Sequence, residues 1–341
     1  MIDPRRIHDA QSLLARHFGP TPIARAASLS TPGHNVFLKI ETALPTGSFK
    51  VRGALYALSV NVARGRLTPC LAGAQRAAAG EVTCASTGNH GAAVAWAAQQ
   101  LGVPATIFLP VNANPVKAGR IRALGARLVE SGPDLSAAID AAEIYAAGTG
   151  AFFLHDASDP DVPAGAATIG VEIVEQQPDV DVVYVPMGDT ALIRGVASAL
   201  KQHRPSIRIV GVVAEQAPAY LLSWNKARAA LSADRREPMA DDVVETATAD
   251  TIADGLAIRR PLAANVAAIR ELVDEVMAVS EAEMIAAIEL LAEREQVIAE
   301  PAGAAATAAL LTRRMPPPRT SVVLVTGGNI APDLYPSARR R

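Results

Sequence analysis

Residues 81–110 read EVTCASTGNHGAAVAWAAQQLGVPATIFLP, and this stretch decides the fold. "EVTCAS" is a short apolar run of strand length. "GNHGAAVAWAAQQLG" is an alanine-rich helical run closed by Gly102, a residue type suited to a helix end. "ATIFLP" is a second strand. A strand, a helix and a strand in such close succession make a βαβ unit, which calls for a parallel sheet.

The pattern repeats outward from there. "NPVKAGRIRALG" is a helix ending at Gly125, "ARLVES" a strand and "DLSAAIDAAEIYAAG" a helix. "VDVVYVP" and "SIRIVGVVA" are buried strands around the helix "TALIRGVASALKQH". Further on, "SEAEMIAAIELLAEREQ" opens on Ser280 with Glu283 at the capping-box position. "EPAGAAATAALLTRR" is another helix, and "TSVVLVTGGN" is a strand running into a Gly-Gly turn. Residues 65–80 and 225–242 read as loops or polar excursions. The order predicts an α/β protein whose parallel sheets carry helices on both faces.

Composition narrows the function. The 341 residues are 50% hydrophobic and 19% charged, long enough for two domains. A formal charge of -2 offers nothing to nucleic acid or an anionic membrane. Two cysteines, Cys70 and Cys84, make no disulfide framework, and the N-terminal residues do not form a secretory signal. A cytoplasmic protein without nucleic-acid or membrane partners is the expectation.

Three turns between strand and helix are rich in Gly, Ser, Thr or Asn: "ASTGNHG" (85–91), "PMGDTALIRG" (186–195) and "TGGNI" (326–330). Ligands of open parallel sheets bind at such strand ends, and helix N-termini suit anions. None of the three is a dinucleotide fingerprint or a P-loop. The fourth clue is "ETALPTGSFKVRGA" (41–54). The chain has five lysines among its 32 Lys and Arg residues, and Lys50 stands here between Phe49 and Val51. Lysine can lose its proton and act as a nucleophile, which arginine in practice cannot. A lysine with several anion-binding turns is what holds an aldehyde cofactor with a phosphate tail, and pyridoxal phosphate bound through Lys50 satisfies this.

"ETALPTGSFKVRGA", "ASTGNHG", "SDPDVPAGAATIGVEI", "DGLAIRRP", "EPAGAAA" and "VLVTGGNI", in this order, resemble the fold type II pyridoxal-phosphate enzymes, in particular the threonine/serine dehydratases and serine racemases. The likeness runs from about Thr21 to Asn329. It implies two parallel-sheet α/β domains, tryptophan synthase β-like, with the cofactor in the cleft between them. Residues 1–50 and 147–341 would form the large domain and 51–146 the small one. Lys50 matches the Schiff-base lysine, and Phe49 a residue packed on the cofactor ring. Asn89 matches the asparagine bonded to the ring hydroxyl. Ser86, Thr87, Gly88, Asn89 and His90 match the loop that captures the substrate carboxylate. Gly165 matches a residue lining the substrate pocket. Gly188, Asp189, Thr190, Ala191 and Leu192 fall at the phosphate loop, and Thr326 matches the residue that faces the pyridine nitrogen.

Three departures and the match at Thr326 matter. The phosphate loop of the family is a run of glycines, whereas this chain has "GDTAL". A carboxylate beside a phosphate is repelled, so Asp189 should point away or bind a cation or an N–H group. Racemases have serine at position 87; Thr87 keeps the hydroxyl but crowds it, which predicts elimination without efficient racemisation. Thr326 carries an uncharged hydroxyl, which makes the ring a weaker electron sink and suits elimination. Glu215 lies where some members bind a cation, yet Leu221 replaces the expected aspartate, so a metal is left open.

The activity implied is α,β-elimination on a β-hydroxy L-amino acid, threonine or serine by default, giving a 2-oxo acid and ammonia, with Lys50 and Thr87 as the catalytic candidates. Elimination on a phenylserine or hydroxyaspartate type substrate, racemisation, β-replacement and non-catalytic binding stay open. A homodimer acting on a small amino acid is the expected assembly. Other candidates read as structural: His8, His17, His34 and His203 as surface residues, and His155 as part of a loop.

Overall fold

The computed structural model describes residues 1–69, 80–86, 88–111, 113, 115–232, 242–312 and 319–334. Thr87 and Cys70 lie outside the described residues. The chain opens with α1 (Pro4–Leu14), β1 (Ile23–Arg25) and β2 (Asn35–Ile40). Then come α2 (Lys50–Ala63), β3 (Val82–Ala85), α3 (Asn89–Leu101), β4 (Ala105–Leu109), α4 (Pro115–Ala123), β5 (Arg127–Glu130), α5 (Leu135–Thr149) and β6 (Phe152–Phe153). The rest is α6 (Val162–Gln176), β7 (Val182–Pro186), α7 (Ala191–His203), β8 (Arg208–Ala214), α8 (Ala219–Ser232), α9 (Ala263–Leu272), β9 (Glu275–Val279), α10 (Glu281–Arg294), α11 (Pro301–Thr312) and β10 (Thr320–Val325).

Two compact units result: residues 1–49 with 166–341, and residues 50–165. The first crossing falls one residue before the expected position, and the second falls at Gly165 where the sequence reading had placed it at 146. The physical reason is β6. It pairs in parallel with β3 through Val82 and Thr83, which ties residues 152 and 153 to the smaller sheet. A two-residue strand carries no periodicity to read.

In the larger unit the sheet order is β1-β2-β10-β7-β8-β9. All neighbours are parallel except the edge pair β1 and β2. Both faces are apolar because alternate residues of one strand feed different cores. Val182 and Tyr184 join Val210, Val212, Val323 and Val325 in one core, with Ala304 and Ala308 of α11. Val183 and Val185 join Ile209, Val322 and Leu324 in the other, with Val196 and Leu200 of α7. Each such side chain contributes about 1.5–3 kcal/mol by leaving water. The smaller sheet, β5-β4-β3-β6, is parallel throughout.

Helix ends follow the local rules. Gly102 and Gly150 close α3 and α5 in the left-handed conformation. Ser280 and Glu283 form the reciprocal capping box of α10. Two expectations are corrected. The polar excursion at 225–242 is helical in its described first part, because α8 continues to Ser232. His34 is buried and not at the surface: its Nε2 lies 3.0 Å from the Ser321 hydroxyl, a cross-strand partner that only the β2–β10 pairing supplies. Among the described residues, no helix is long and apolar enough to cross a membrane.

Candidate active site

In the smaller unit, Lys50 is the first residue of α2, which packs along α3 and buries Val51, Ala54 and Leu58 among others. The Lys50 Nζ lies 2.5 Å from Oδ2 of Asp156, with only 14% and 16% of the two side chains exposed. Asp156 follows β6, and Ser86 follows β3. The pairing of Thr83 with Phe153 brings both to the same C-terminal sheet edge. Ligands of parallel sheets gather at such an edge.

The loop from Ser86 to His90 joins β3 to α3. The Ser86 N–H donates to the Phe108 carbonyl, and the Ser86 hydroxyl accepts from the Gly88 N–H at 3.2 Å. Gly88 is the N-cap of α3 and gives the helix no side-chain cap, so the start of α3 presents backbone N–H groups. Gly91 lets the loop approach: a Cβ there would stand 3.0 Å from the Ser86 carbonyl oxygen. His90 is buried, with Nε2 3.3 Å from the Leu154 carbonyl and Nδ1 3.5 Å from Asp156 Oδ2. A carbonyl can only accept, so Nε2 carries the hydrogen. Asp156 therefore connects the lysine to the α3 loop. Behind it, burial and then the Asp156 charge push the Cys84 thiol far above the ordinary thiol range, so Cys84 stays protonated.

Gly165 has a packing reason to be glycine. Its Cβ would fall 2.3 Å from the Arg52 carbonyl oxygen, so only hydrogen fits between α6 and α2. His155 is structural, as expected: its Nδ1 accepts from the Ala157 N–H at 3.2 Å, and its ring meets Phe153 edge-on.

In the larger unit, register aligns three strand ends. Val325 pairs with Ile40, and Val323 with Tyr184, so β2, β10 and β7 finish at one edge. The segment Thr46–Phe49 is fixed there by the turn after β10. The Phe49 N–H donates to the Thr326 carbonyl, the Gly328 N–H to the Gly47 carbonyl, and Asn329 Nδ2 to the Thr46 carbonyl at 2.9 Å. Gly303 faces the same turn, and a Cβ there would lie 2.2 Å from the Gly327 oxygen. Phe49 packs on the core that contains Leu192, and Thr326 is buried.

The turn Gly188–Thr190 feeds α7. A Cβ on Gly188 would meet the Gly255 carbonyl at 2.0 Å. Thr190 adopts a φ of 75°, a left-handed conformation that a β-branched residue enters at a cost. Its hydroxyl is buried next to the Tyr220 hydroxyl. Asp189 Oδ1 accepts from the Ala191 N–H at 3.0 Å, one of the three arrangements expected from sequence. Asn265 Nδ2 donates to the Asp189 carbonyl at 3.2 Å and lies 3.3 Å from the Tyr220 hydroxyl. Burial, with the Asp189 charge adding to it, pushes the Tyr220 hydroxyl up against the hydrogen bonds from Asn265 and the Leu262 N–H.

Sequence reading missed Asp156, Tyr220 and Asn265. Asp156 follows a strand too short to see, and the other two come from α8 and α9, far along the chain. Glu215 is exposed, and among the described residues no group of three His, Cys, Asp or Glu side chains is placed to hold a metal ion.

In the smaller unit, a primary amine near a helix N-terminus that has no side-chain cap fits an aldehyde cofactor and an anionic group. The chain belongs to the pyridoxal-phosphate dependent enzyme family, whose model matches residues 14–327. Its cofactor is pyridoxal 5'-phosphate, and the protein is a lyase of that family. The chain is 37% identical over 331 residues to L-threonine ammonia-lyase of Thermotoga maritima, covering 97% of this chain and 76% of that one. It is also similar to the structure of maize serine racemase, with TM-score 0.82, 28% identity and coverage of 97% and 94%. The processed form of threonine deaminase isoform 2 from Solanum lycopersicum is equally similar, with TM-score 0.82, 28% identity and coverage of 96% and 85%.

The Asp189 geometry carries a prediction. A carboxylate on the first N–H groups of α7 competes with a phosphate for them and repels it. Asp189→Ser keeps a short side chain able to form the same turn and removes the charge. Cofactor retention should tighten about tenfold, or ~1.4 kcal/mol. Dialysis followed by absorbance titration measures it, and unchanged or weaker retention would refute the competition.

Proposed function

We propose that this protein is an ammonia-lyase that converts L-threonine or L-serine to the 2-oxo acid and ammonia. The observation that carries this reading is the joining of Lys50 to the α3 loop through Asp156, which puts an amine beside a helix start suited to a carboxylate. The similarity to L-threonine ammonia-lyase over nearly the whole chain supports it.

The bound cofactor supplies an electron sink for the substrate's α-carbon. The residues of this chain do the rest. Lys50 would hold the cofactor aldehyde, and its freed amine would take the α-proton at Nζ. Ser86, Gly88, Asn89 and His90 would orient the substrate carboxylate on the N–H groups at the start of α3. Asn89 would also bond the cofactor's ring hydroxyl, and the segment around Gly165 would line the substrate pocket. Gly188–Leu192, with the Thr190 hydroxyl, would hold the phosphate. Phe49 would pack on the ring, and Thr326 would offer an uncharged hydroxyl to its nitrogen, which favours elimination over transamination. The β-hydroxyl would leave as water, taking up a proton from a neighbouring hydroxyl while the α-proton stays on Nζ, and the enamine released would hydrolyse to the 2-oxo acid and ammonia. The same reading has the enzyme in a reducing cytoplasm as a homodimer, which the buried free thiol of Cys84 suits.

The test is a panel of L-threonine, L-serine, a phenylserine and a hydroxyaspartate in deuterated water. Ammonia and 2-oxo acid should form in equal amounts, fastest from threonine or serine, and the recovered amino acid should stay L. Accumulation of the D-isomer at the rate of 2-oxo acid formation would replace this reading with a racemase.

A further inference from the structure

We infer that Asp156 is a positioning residue that holds the Lys50 amine as an ammonium and sets the pH at which that amine becomes available. The inference rests on Lys50 being the cofactor lysine and goes beyond it, because nothing in that role calls for a carboxylate on Nζ. The two groups meet at 2.5 Å with little solvent access, so the pair is neither loose nor water-screened. An opposite charge that close favours the protonated amine. A protonated amine has no lone pair, and it can neither attack an aldehyde nor take an α-proton.

The proton therefore has to leave Lys50 before the amine acts. The N–H bond breaks, its electron pair stays on Nζ, and the proton passes to a base. Asp156 itself can take it as an O–H. His90 Nδ1, 3.5 Å from the same carboxylate oxygen, is the second acceptor, becoming an imidazolium against that carboxylate. Nε2 holds the ring in register through the Leu154 carbonyl. The titratable groups gathered around the carboxylate are Lys50 from α2, His90 from α3 and Cys84 from β3, with His155 next to it in the chain. Cys84 is held as a neutral thiol by its burial, so it takes no proton from Lys50. With the first proton held on His90, Asp156 is still a carboxylate when Lys50 later receives a proton from substrate, and it stabilises the ammonium formed and so favours abstraction.

The full-length chain, stripped of cofactor with hydroxylamine, is labelled across a pH series with an amine-acylating reagent, and labelling of the Lys50 peptide is read by mass. Asp156→Asn should lower the midpoint pH of Lys50 labelling by about one to two units. Asp156→Glu should return most of that shift, and labelling of the exposed Lys226 should be unchanged as an internal reference. An unmoved midpoint in a folded Asp156→Asn chain, checked by circular dichroism, would overturn the inference. If that variant does not fold, the Glu variant decides: a midpoint near the native one supports the carboxylate's role, and one lowered as far as predicted for Asn overturns it. Borohydride reduction of the cofactor-loaded native chain separates the two readings. Pyridoxyl on another lysine defeats the proposed function itself, whereas pyridoxyl on Lys50 with an unmoved midpoint defeats only the role of Asp156.

Discussion

Replacing Lys50 with alanine should lower turnover of the preferred β-hydroxy amino acid by at least about 10³-fold. Two functions are lost together: covalent holding of the cofactor and proton removal at Nζ, the second alone being worth about 10²–10⁴. The four other lysines offer no substitute. Lys39 is fully buried in an ion pair, Lys201 pairs with Asp274 at 2.8 Å, and Lys226 is exposed on α8. Lys117 sits on α4. Borohydride treatment of the native chain should place the pyridoxyl group on Lys50, and none should appear on the variant. Activity within tenfold of native would remove Lys50 from the mechanism. Circular dichroism guards the interpretation, because the variant also leaves Asp156 without its lysine.

Lys39→Met should destabilise the fold by about 3–5 kcal/mol. The Lys39 ammonium has no solvent exposure and uses its three hydrogens on Glu172 Oε2 at 2.6 Å, the Thr21 carbonyl at 2.8 Å and Gln176 Oε1 at 2.8 Å. Glu172 also accepts from the Thr21 N–H at 3.0 Å, and the Thr21 hydroxyl bonds Glu41 Oε1 at 2.6 Å. Methionine fills a similar volume but removes the cation from buried carboxylates, and the full desolvation penalty then appears. The cluster joins β2 to α6 and to the segment before β1, so its loss loosens the sheet edge from which Glu41–Phe49 departs. Urea unfolding measures the effect. A loss below about 1 kcal/mol would mean that the cluster is indifferent to its charge, as some buried pairs are. Borohydride labelling of this variant should still fall on Lys50.

The alternation of apolar strands with alanine-rich helices was readable because buried parallel strands are apolar on both faces, as Val182–Val185 illustrate. Lys50 was readable from its chemistry, in a chain that uses arginine far more often than lysine. The turns at 85–91 and 186–195 were readable because a helix N-terminus needs small and polar residues close by, and the one at 326–330 because a buried strand runs into two glycines. Each of these features is local, set by residues within one turn or one strand of each other.

What the tertiary structure decided is which distant groups meet. Asp156 comes 106 residues after Lys50, and Glu172 comes 133 after Lys39. Neither pairing has any period or spacing in the sequence. His34 looked like a surface residue because its neighbours in the chain are polar; its real neighbour, Ser321, is 287 residues away. The carboxylate of Asp189 had three arrangements open to it in sequence, and the turn before α7 selected the Ala191 N–H. The boundary at Gly165 depends on a two-residue strand whose hydrogen bonds exist only once β3 is in place. Hydrophobic patterning and backbone propensity act over a few residues, so a chain displays them in order. Pairing of charges and strands acts through space, and it exists only after the fold has closed the loops between them.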